Sequence, residues 1–279
     1  MGMPNDLVLV RHGQSEGNVA VDASKTGDNS WYTEAFTTTP GHQWRLTEKG
    51  RAQAATAGAW IAEEVGRRFD TYLVSPYVRT QETAALLNLP DARWRLNRAL
   101  RERDWGDIGS LPKDEFDSRP EYQLNAAMKR NDPLYWTTPN GESIAQVAED
   151  RVRNVLSTLH REATGQKVVA VSHGEAMWAF RLVLERISDA EFVALDADKG
   201  EKINNCEVFH YTRLDPANGA QAPRLTWVRR ARPVENPDGS FTMRVTPWRG
   251  LEFRTYTNAD LLANIAQVPS LRPALHTAS

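Results

Sequence analysis

The sequence predicts an α/β protein built on a largely parallel sheet. Three observations carry that expectation. Leu7-Val8-Leu9-Val10 and Val168-Val169-Ala170-Val171 are short, continuous apolar runs with β-branched content, the pattern of strands covered on both faces. Helix and strand signals alternate between them. Both runs end at a histidine followed by glycine, His12-Gly13 and His173-Gly174, and the two strand–His–Gly elements echo each other.

The elements follow in order. After the first strand, Val19 to Arg45 is rich in Thr, Ser, Gly and Asp and carries Trp31, Tyr32, Phe36 and Trp44. It is too long for an ordinary connection and reads as either a lid or a disordered insert. Thr47 to Gly66 predicts a helix, with threonine at the cap, Glu48 and Lys49 in the first turn, Ala-rich spacing and a closing glycine. Thr71 to Val74 predicts a strand stopped at Ser75-Pro76, followed by a helix over Val78 to Leu89. Ala92 to Leu100 is strand-like. Ile144, Val147, Val152, Val155, Leu156 and Leu159 recur at helical spacing from Ser143 to about His160, and Ala176 to Ile187 is a further apolar helix. Beyond Thr212 the pattern weakens. Pro and Gly clusters separate strand-like Leu225 to Val228 and Phe241 to Val245, before a short helix over Asn258 to Gln267 and a loose tail. We read a single domain over 1–279, with an insert at 19–45 and a C-terminal extension at 213–279.

Composition narrows the function. In 279 residues, 41% hydrophobic and 25% charged, disordered and fibrous classes are excluded. Lys and Arg number 34 against 36 Asp and Glu, a net charge of −2. Such a balance offers no sequence-wide attraction to nucleic acid or anionic lipid, so neither partner is expected and any basic site must be local. Cys206 is the lone cysteine, which fits a reducing compartment and argues against a structural zinc. The start of the chain lacks a basic, then apolar, leader pattern and no apolar run reaches bilayer length, so the expected location is cytoplasmic.

The chemistry gathers at strand ends, where ligands bind in open α/β sheets. Arg11-His12-Gly13 sets a permanent cation beside an imidazole and a glycine that lets backbone approach closely, a combination suited to an oxyanion. A hydrogen-bonded histidine at a strand end is the plainer alternative. His173, in the same relation to a second strand, favours convergence of the two rings in one crevice. Paired histidines also suggest a metal, but further ligands such as His-x-His or an Asp-rich element are not evident, and Arg11 and Arg79 would repel a divalent cation. Arg79 stands in the first turns of a helix, where a cation is misplaced unless it serves a bound anion; its alternative is a surface pair with Glu82. Glu102, within Arg101-Glu102-Arg103-Asp104-Trp105-Gly106, is either part of a structural ion pair or a general acid and base.

Taken together, Arg-His-Gly, Ser75-Pro-x-x-Arg79-Thr-x-Glu-Thr-Ala84, Glu102, Gly141-Glu142-Ser143 and Ser172-His173-Gly174 resemble the histidine phosphatase superfamily, also called phosphoglycerate-mutase-like. The five motifs occur in the family's order from Leu7 to about Leu214. The resemblance implies a three-layer α/β/α sandwich with a mostly parallel central sheet. It also implies a phosphohistidine mechanism without metal or other cofactor. His12 would be the nucleophile. Arg11, Arg79, His173 and Asn18 would orient the phosphoryl oxygens, and Ser15 would add a hydroxyl contact. Glu102 would be the general acid and base, and Ser143 a helix cap.

Within the family the choice lies between a hydrolase and a phosphoglycerate mutase. Arg103 and Lys113 occupy positions that resemble mutase substrate contacts. Against them, Asp104 and Trp105 follow the acid where mutases differ, and the insert replaces the short segment after Asn18. Arg11-His-Gly-Gln-Ser-Glu-Gly-Asn18, His42-x-x-x-Leu-Thr47 and Arg101-Glu-x-Asp-Trp-Gly106 resemble the broad-range acid phosphatase branch more closely. The expected substrate is a small organic phosphomonoester, and His42 is a candidate to reach it from the insert. An inactive interaction scaffold ranks below both because nucleophile, clamp and acid are all present.

Overall fold

The computed structural model describes residues 2–109 and 111–269; part of the expected tail lies outside them. Eight strands form one sheet: β1 (Asp6–Arg11), β2 (Thr71–Val74), β3 (Trp94–Leu96), β4 (Lys167–Ser172), β5 (Val208–Thr212), β6 (Trp227–Glu235), β7 (Phe241–Val245) and β8 (Arg249–Gly250). The order is β3-β2-β4-β1-β5-β6-β7, with β8 also on β6. The half from β3 to β1 is parallel, and everything from β5 onward is antiparallel. The sheet is therefore mixed, and its parallel half bears the histidine motifs.

The helices are α1 (Glu16–Ser24), α2 (Glu34–Thr38), α3 (Glu48–Glu64), α4 (Val78–Leu86), α5 (Lys113–Ser118), α6 (Pro120–Asn131), α7 (Ile144–Gln146), α8 (Arg153–Glu162), α9 (Gly174–Glu185), α10 (Asp189–Ala197) and α11 (Asn258–Ala266). A π-helical turn, Val147–Val152, joins α7 to α8. Alternate residues of the central strands face opposite sides because side chains alternate along a strand. Leu7, Leu9, Val168 and Ala170 pack with Val155, Leu159, Met177 and Phe180 of α8 and α9. Val8, Val10, Val169 and Val171 pack with Ala54, Ala57 and Ile61 of α3, Ala84 of α4 and the adjoining Leu87. Burial on both faces explains why these strands read as continuous apolar runs.

Several expectations change. Ala92 to Leu100 shortens to the three residues of β3 and then turns, because Asn97 accepts from the Ala99 N–H and starts a 3₁₀ turn, Arg98–Leu100. The strand expected at Leu225 to Val228 begins later and runs further, as β6. The 19–45 stretch is ordered. Val19 to Ser24 completes α1, Phe36 stacks on Trp44 with centroids 4.8 Å apart, and Asn29 Nδ2 donates to Asp114 Oδ1 at 2.8 Å. The extension is built into the same sheet: β6 pairs with β5 along five residues, and Leu225, Val228, Ala231 and Leu251 are buried in the two cores.

Candidate active site

Register brings the two histidine motifs together. Arg11 pairs with Ser172 across parallel β1 and β4, so the next residues, His12 and His173, leave the sheet side by side with ring centroids 5.1 Å apart. Val74 pairs with Val171 on the other side of β4, which delivers Ser75 and the start of α4 to the same edge. Gly13 is required by a close approach: a Cβ there would lie 2.3 Å from the Gly50 carbonyl oxygen at the start of α3.

The imidazole of His12 is fixed in one tautomer. Its Nδ1 lies 2.7 Å from the Gly13 carbonyl, which only accepts, so Nδ1 carries the proton and Nε2 keeps its lone pair. Arg79 Nε–H donates to that Nε2 at 3.2 Å, Nη2 donates to His173 Nδ1 at 3.2 Å, and Nη1 donates to the Gly41 carbonyl at 2.8 Å. The His173 Nε2–H accordingly donates to Ser75 Oγ at 2.8 Å. Burial first, and then the Arg79 and Arg11 charges, hold His12 well below the usual imidazole range. His173 is depressed by burial and by Arg79, with His12 and Arg11 adding to it. Both rings are neutral near pH 7.

Glu102 faces them. Its Oε2 is 3.9 Å from His173 Nδ1, and its Oε1 accepts from the Arg103 N–H at 3.0 Å. Burial, and then the neighbouring Glu175 carboxylate, push its pKa up, against the pull of Arg79 and Arg11. The loop that bears it is held by Glu142, which accepts from Arg101 Nη2, Arg151 Nη2 and the Asp104 N–H, all at 2.9 Å. Arg151 reaches this loop from the π-helical turn, a distortion often found at functional sites. Ser143 caps α7 through a capping box with Gln146, as its motif implied.

These groups form the floor of a cavity of about 520 Å³ lined by Arg11, His12, Ser15, Asn18, Arg79 and Glu102. Its walls bring Tyr32 and Trp44 of the insert opposite Trp105, Leu111, Phe116 and Trp178, with Lys25, Lys113 and Lys202 around them. Ser15 and Asn18 cap α1 reciprocally, and the Asn18 Nδ2 has no partner among the described residues. Ring nitrogens of His12 and His173 and a Glu102 oxygen lie within 4.8 Å of one another, a spacing that would suit a metal ion. Their chemistry does not: Arg79 N–H groups already occupy both imidazole lone pairs, and a cation there would face two guanidiniums.

Two expected contacts are corrected. Arg103 is buried with Nε on the Glu142 carbonyl at 2.6 Å, Nη1 on Glu175 at 3.3 Å and Nη2 on the Trp136 carbonyl at 3.0 Å, so all its nitrogens are engaged within the protein. His42 is exposed outside the cavity wall, and it is the carbonyl of its neighbour Gly41 that reaches Arg79. His173 is fully buried, with Nδ1 3.2 Å from Arg79 Nη2 and 3.9 Å from Glu102 Oε2 at the cavity floor. Lys113 does line the cavity, its ammonium paired with Asp117. Sequence reasoning missed the Lys202 to Cys206 turn. There the Ile203 carbonyl accepts from Arg11 Nη1 at 2.6 Å, and Asn205 Nδ2 donates to the His12 carbonyl at 3.1 Å and to Asn18 Oδ1 at 3.0 Å. No motif marks the turn, and its contact to Arg11 is main-chain.

Neutral imidazoles, paired guanidiniums and a carboxyl of raised pKa thus meet at one cavity. Residues 7–210 match the family described as the histidine phosphatase superfamily (branch 1), and the chain belongs to that superfamily. The 2,3-bisphosphoglycerate-dependent phosphoglycerate mutase of Methylobacterium radiotolerans is 34% identical over 203 residues, covering 70% of this chain and 85% of the relative. The protein of the same name from Bartonella bacilliformis is 33% identical, covering 72% and 91%. Among solved structures, a mycobacterial glucosyl-3-phosphoglycerate phosphatase in complex with VO3 is 22% identical with a TM-score of 0.58, covering 88% of this chain and 98% of its own. A phosphoserine phosphatase from Entamoeba histolytica with 3-phosphoglyceric acid is 19% identical with a TM-score of 0.55, covering 75% and 90%. At these identities the structural likeness establishes the fold.

Proposed function

We propose that the protein is a metal-independent phosphomonoesterase acting through a phosphohistidine on His12. The observation that carries this is the neutral, tautomer-fixed His12, whose Nε2 lone pair lies at the cavity floor between two guanidiniums and opposite a carboxyl with a raised pKa. In the first step the Arg79 Nε–H turns from His12 Nε2 to a phosphoryl oxygen, the freed Nε2 lone pair forms a bond to phosphorus while the ester P–O bond breaks, and the protonated Glu102 gives its proton to the departing oxygen. Arg11 and Arg79 neutralise the non-bridging oxygens, with the Asn18 amide and Ser15 beside them, and Arg79 is oriented by His173 and Gly41. In the second step the Glu102 carboxylate takes a proton from water as its oxygen attacks phosphorus. The P–N bond breaks and its electron pair returns to Nε2.

The aromatic walls suit a small organic ester, and the engagement of Arg103 removes one expected grip on a substrate carboxylate or second phosphate. The test is hydrolysis of p-nitrophenyl phosphate in the presence of a chelator, with acid-labile phosphate labelling of wild type and His12→Ala. Turnover with chelator and a label lost in the variant are expected; chelator-abolished turnover or a persistent label overturns the assignment. Mutase activity is a second reading, favoured by the 33–34% identity to curated mutases and by Lys113 on the cavity wall. Isomerisation of 3-phosphoglycerate faster than its hydrolysis would establish it.

A further inference from the structure

We propose that Arg230, on β6 beyond the family-matched residues, is a positioning residue for the phosphate site. The inference deepens the functional reading above and rests on it. Arg230 Nε donates to Glu207 Oε1 at 2.8 Å, and its Nη1 donates to Glu201 Oε2 at 2.6 Å. Glu207 is 1% exposed, and its second oxygen accepts from the Asn204 N–H at 2.7 Å and from Asn204 Nδ2 at 3.0 Å. One buried carboxylate thus links the extension on one side to the Lys202–Cys206 turn on the other.

That turn holds the floor of the cavity. Besides the Ile203 and Asn205 contacts, the Cys206 N–H donates to the His12 carbonyl at 3.2 Å, and the Glu207 carbonyl accepts from the Arg11 N–H at 3.0 Å. Cys206 sits at φ 53°, a left-handed conformation that a non-glycine residue keeps only when its surroundings enforce it. Removing the Arg230 cation strands the buried Glu207 charge, and a stranded charge is relieved by local rearrangement towards water. The groups that would move are those that fix Arg11, His12 and Asn18. Arg181 Nη1, 3.0 Å from Glu201, supports the outer carboxylate but does not reach Glu207 in its place.

Inorganic phosphate is the probe, with binding measured by calorimetry and melting temperature measured alongside. The proteins are wild type, Arg230→Met, Arg230→Lys and Arg230→Met combined with Glu207→Gln. Arg230→Met keeps an apolar stem over the Phe209 ring. Its phosphate Kd should rise on the order of tenfold, less than the roughly hundredfold that a ~1 Å misplacement at a reacting centre can cost. The double variant should regain most of that affinity because no charge is left stranded. Arg230→Lys reaches one carboxylate rather than two and should show a smaller loss. Unchanged phosphate affinity in Arg230→Met, with only the melting temperature lowered, overturns the inference, as does a double variant no better than the single. Should Arg230→Met fail to fold, unchanged affinity in Arg230→Lys overturns it equally. Absence of phosphate binding by wild type defeats the functional reading itself, whereas wild-type binding with normal variants defeats only the role of Arg230.

Discussion

At His12 and Glu102, two depressions of charge run in opposite senses and serve one step. The neutral imidazole is favoured by burial and by the cations of Arg79 and Arg11, so the nucleophile stays unprotonated below the pH at which free imidazole would be lost. The neutral carboxyl is favoured by burial and by Glu175, so the acid stays protonated above the usual carboxylate range. A rate–pH profile should therefore have its acid limb displaced downward and its basic limb displaced upward, with an optimum on the acid side of neutrality. Glu175→Gln removes the like charge. The Glu102 pKa should fall, and the basic limb of kcat/KM should move to lower pH by a fraction of a unit; an unmoved limb assigns it to another group. Glu102→Gln should slow alkyl phosphates by about 100-fold or more and aryl phosphates with good leaving groups far less, and comparing the two substrates checks its role.

Among the elements, the insert and the histidine loop are interdependent. A Cβ on Gly17 of α1 would lie 2.2 Å from the Trp44 ring, and Trp44 stacks on Phe36 to form one wall of the cavity. Gly17→Ala should displace that wall, costing about 1–3 kcal/mol in stability from overpacking and raising KM; thermal melts and steady-state kinetics read both. The parts of this arrangement differ in how legible they are in the sequence. β1 and β4 announce themselves because burial on both faces forces continuous apolar residues, and His12, His173, Arg79 and Glu102 follow because each sits at a fixed offset from a strand or helix start. β5 is disguised by its composition: His210 points to a buried pair with Asp6 at 2.8 Å, and Tyr211 reaches Glu185, so Val208-Phe-His-Tyr-Thr212 lacks a clean pattern. The Gly41 and Ile203 contacts to the guanidiniums use carbonyl oxygens that every residue has, so no choice of side chain betrays them. Arg103 misleads for the reverse reason, since a conspicuous charge turns inward to stack between Trp105 and Trp136.

Over the whole molecule, buried neutral histidines couple folding to pH. His12, His173 and His210 all lie below the ordinary value of 6.5, with burial as the leading cause in each. The unfolded chain takes up protons at these residues near 6.5 while the folded one does not, so their neutral burial is fully compatible with folding above that pH. Stability is lost as pH falls from 6.5 towards the depressed values. The melting temperature should drop between pH 7 and pH 5, and inorganic phosphate should raise it at either pH by binding only the folded state. A chain cut after Leu214 should fail to fold to an active form, because it loses β6 to β8 together with the buried Leu225, Val228, Ala231 and Leu251. Proteolytic sensitivity and phosphate titration of that fragment check the expectation.

The joining of the two half-sheets at β1 and β5 has a consequence for biosynthesis. Arg11-His12-Gly13 leaves the ribosome about 190 positions before the turn that anchors its guanidinium and main chain, and the strand that steadies that turn follows later still. Domains gain structure as they are translated, from the amino end onward. Here competence is deferred until that strand has emerged, and shorter nascent or prematurely terminated polypeptides carry the nucleophile without the means to use it.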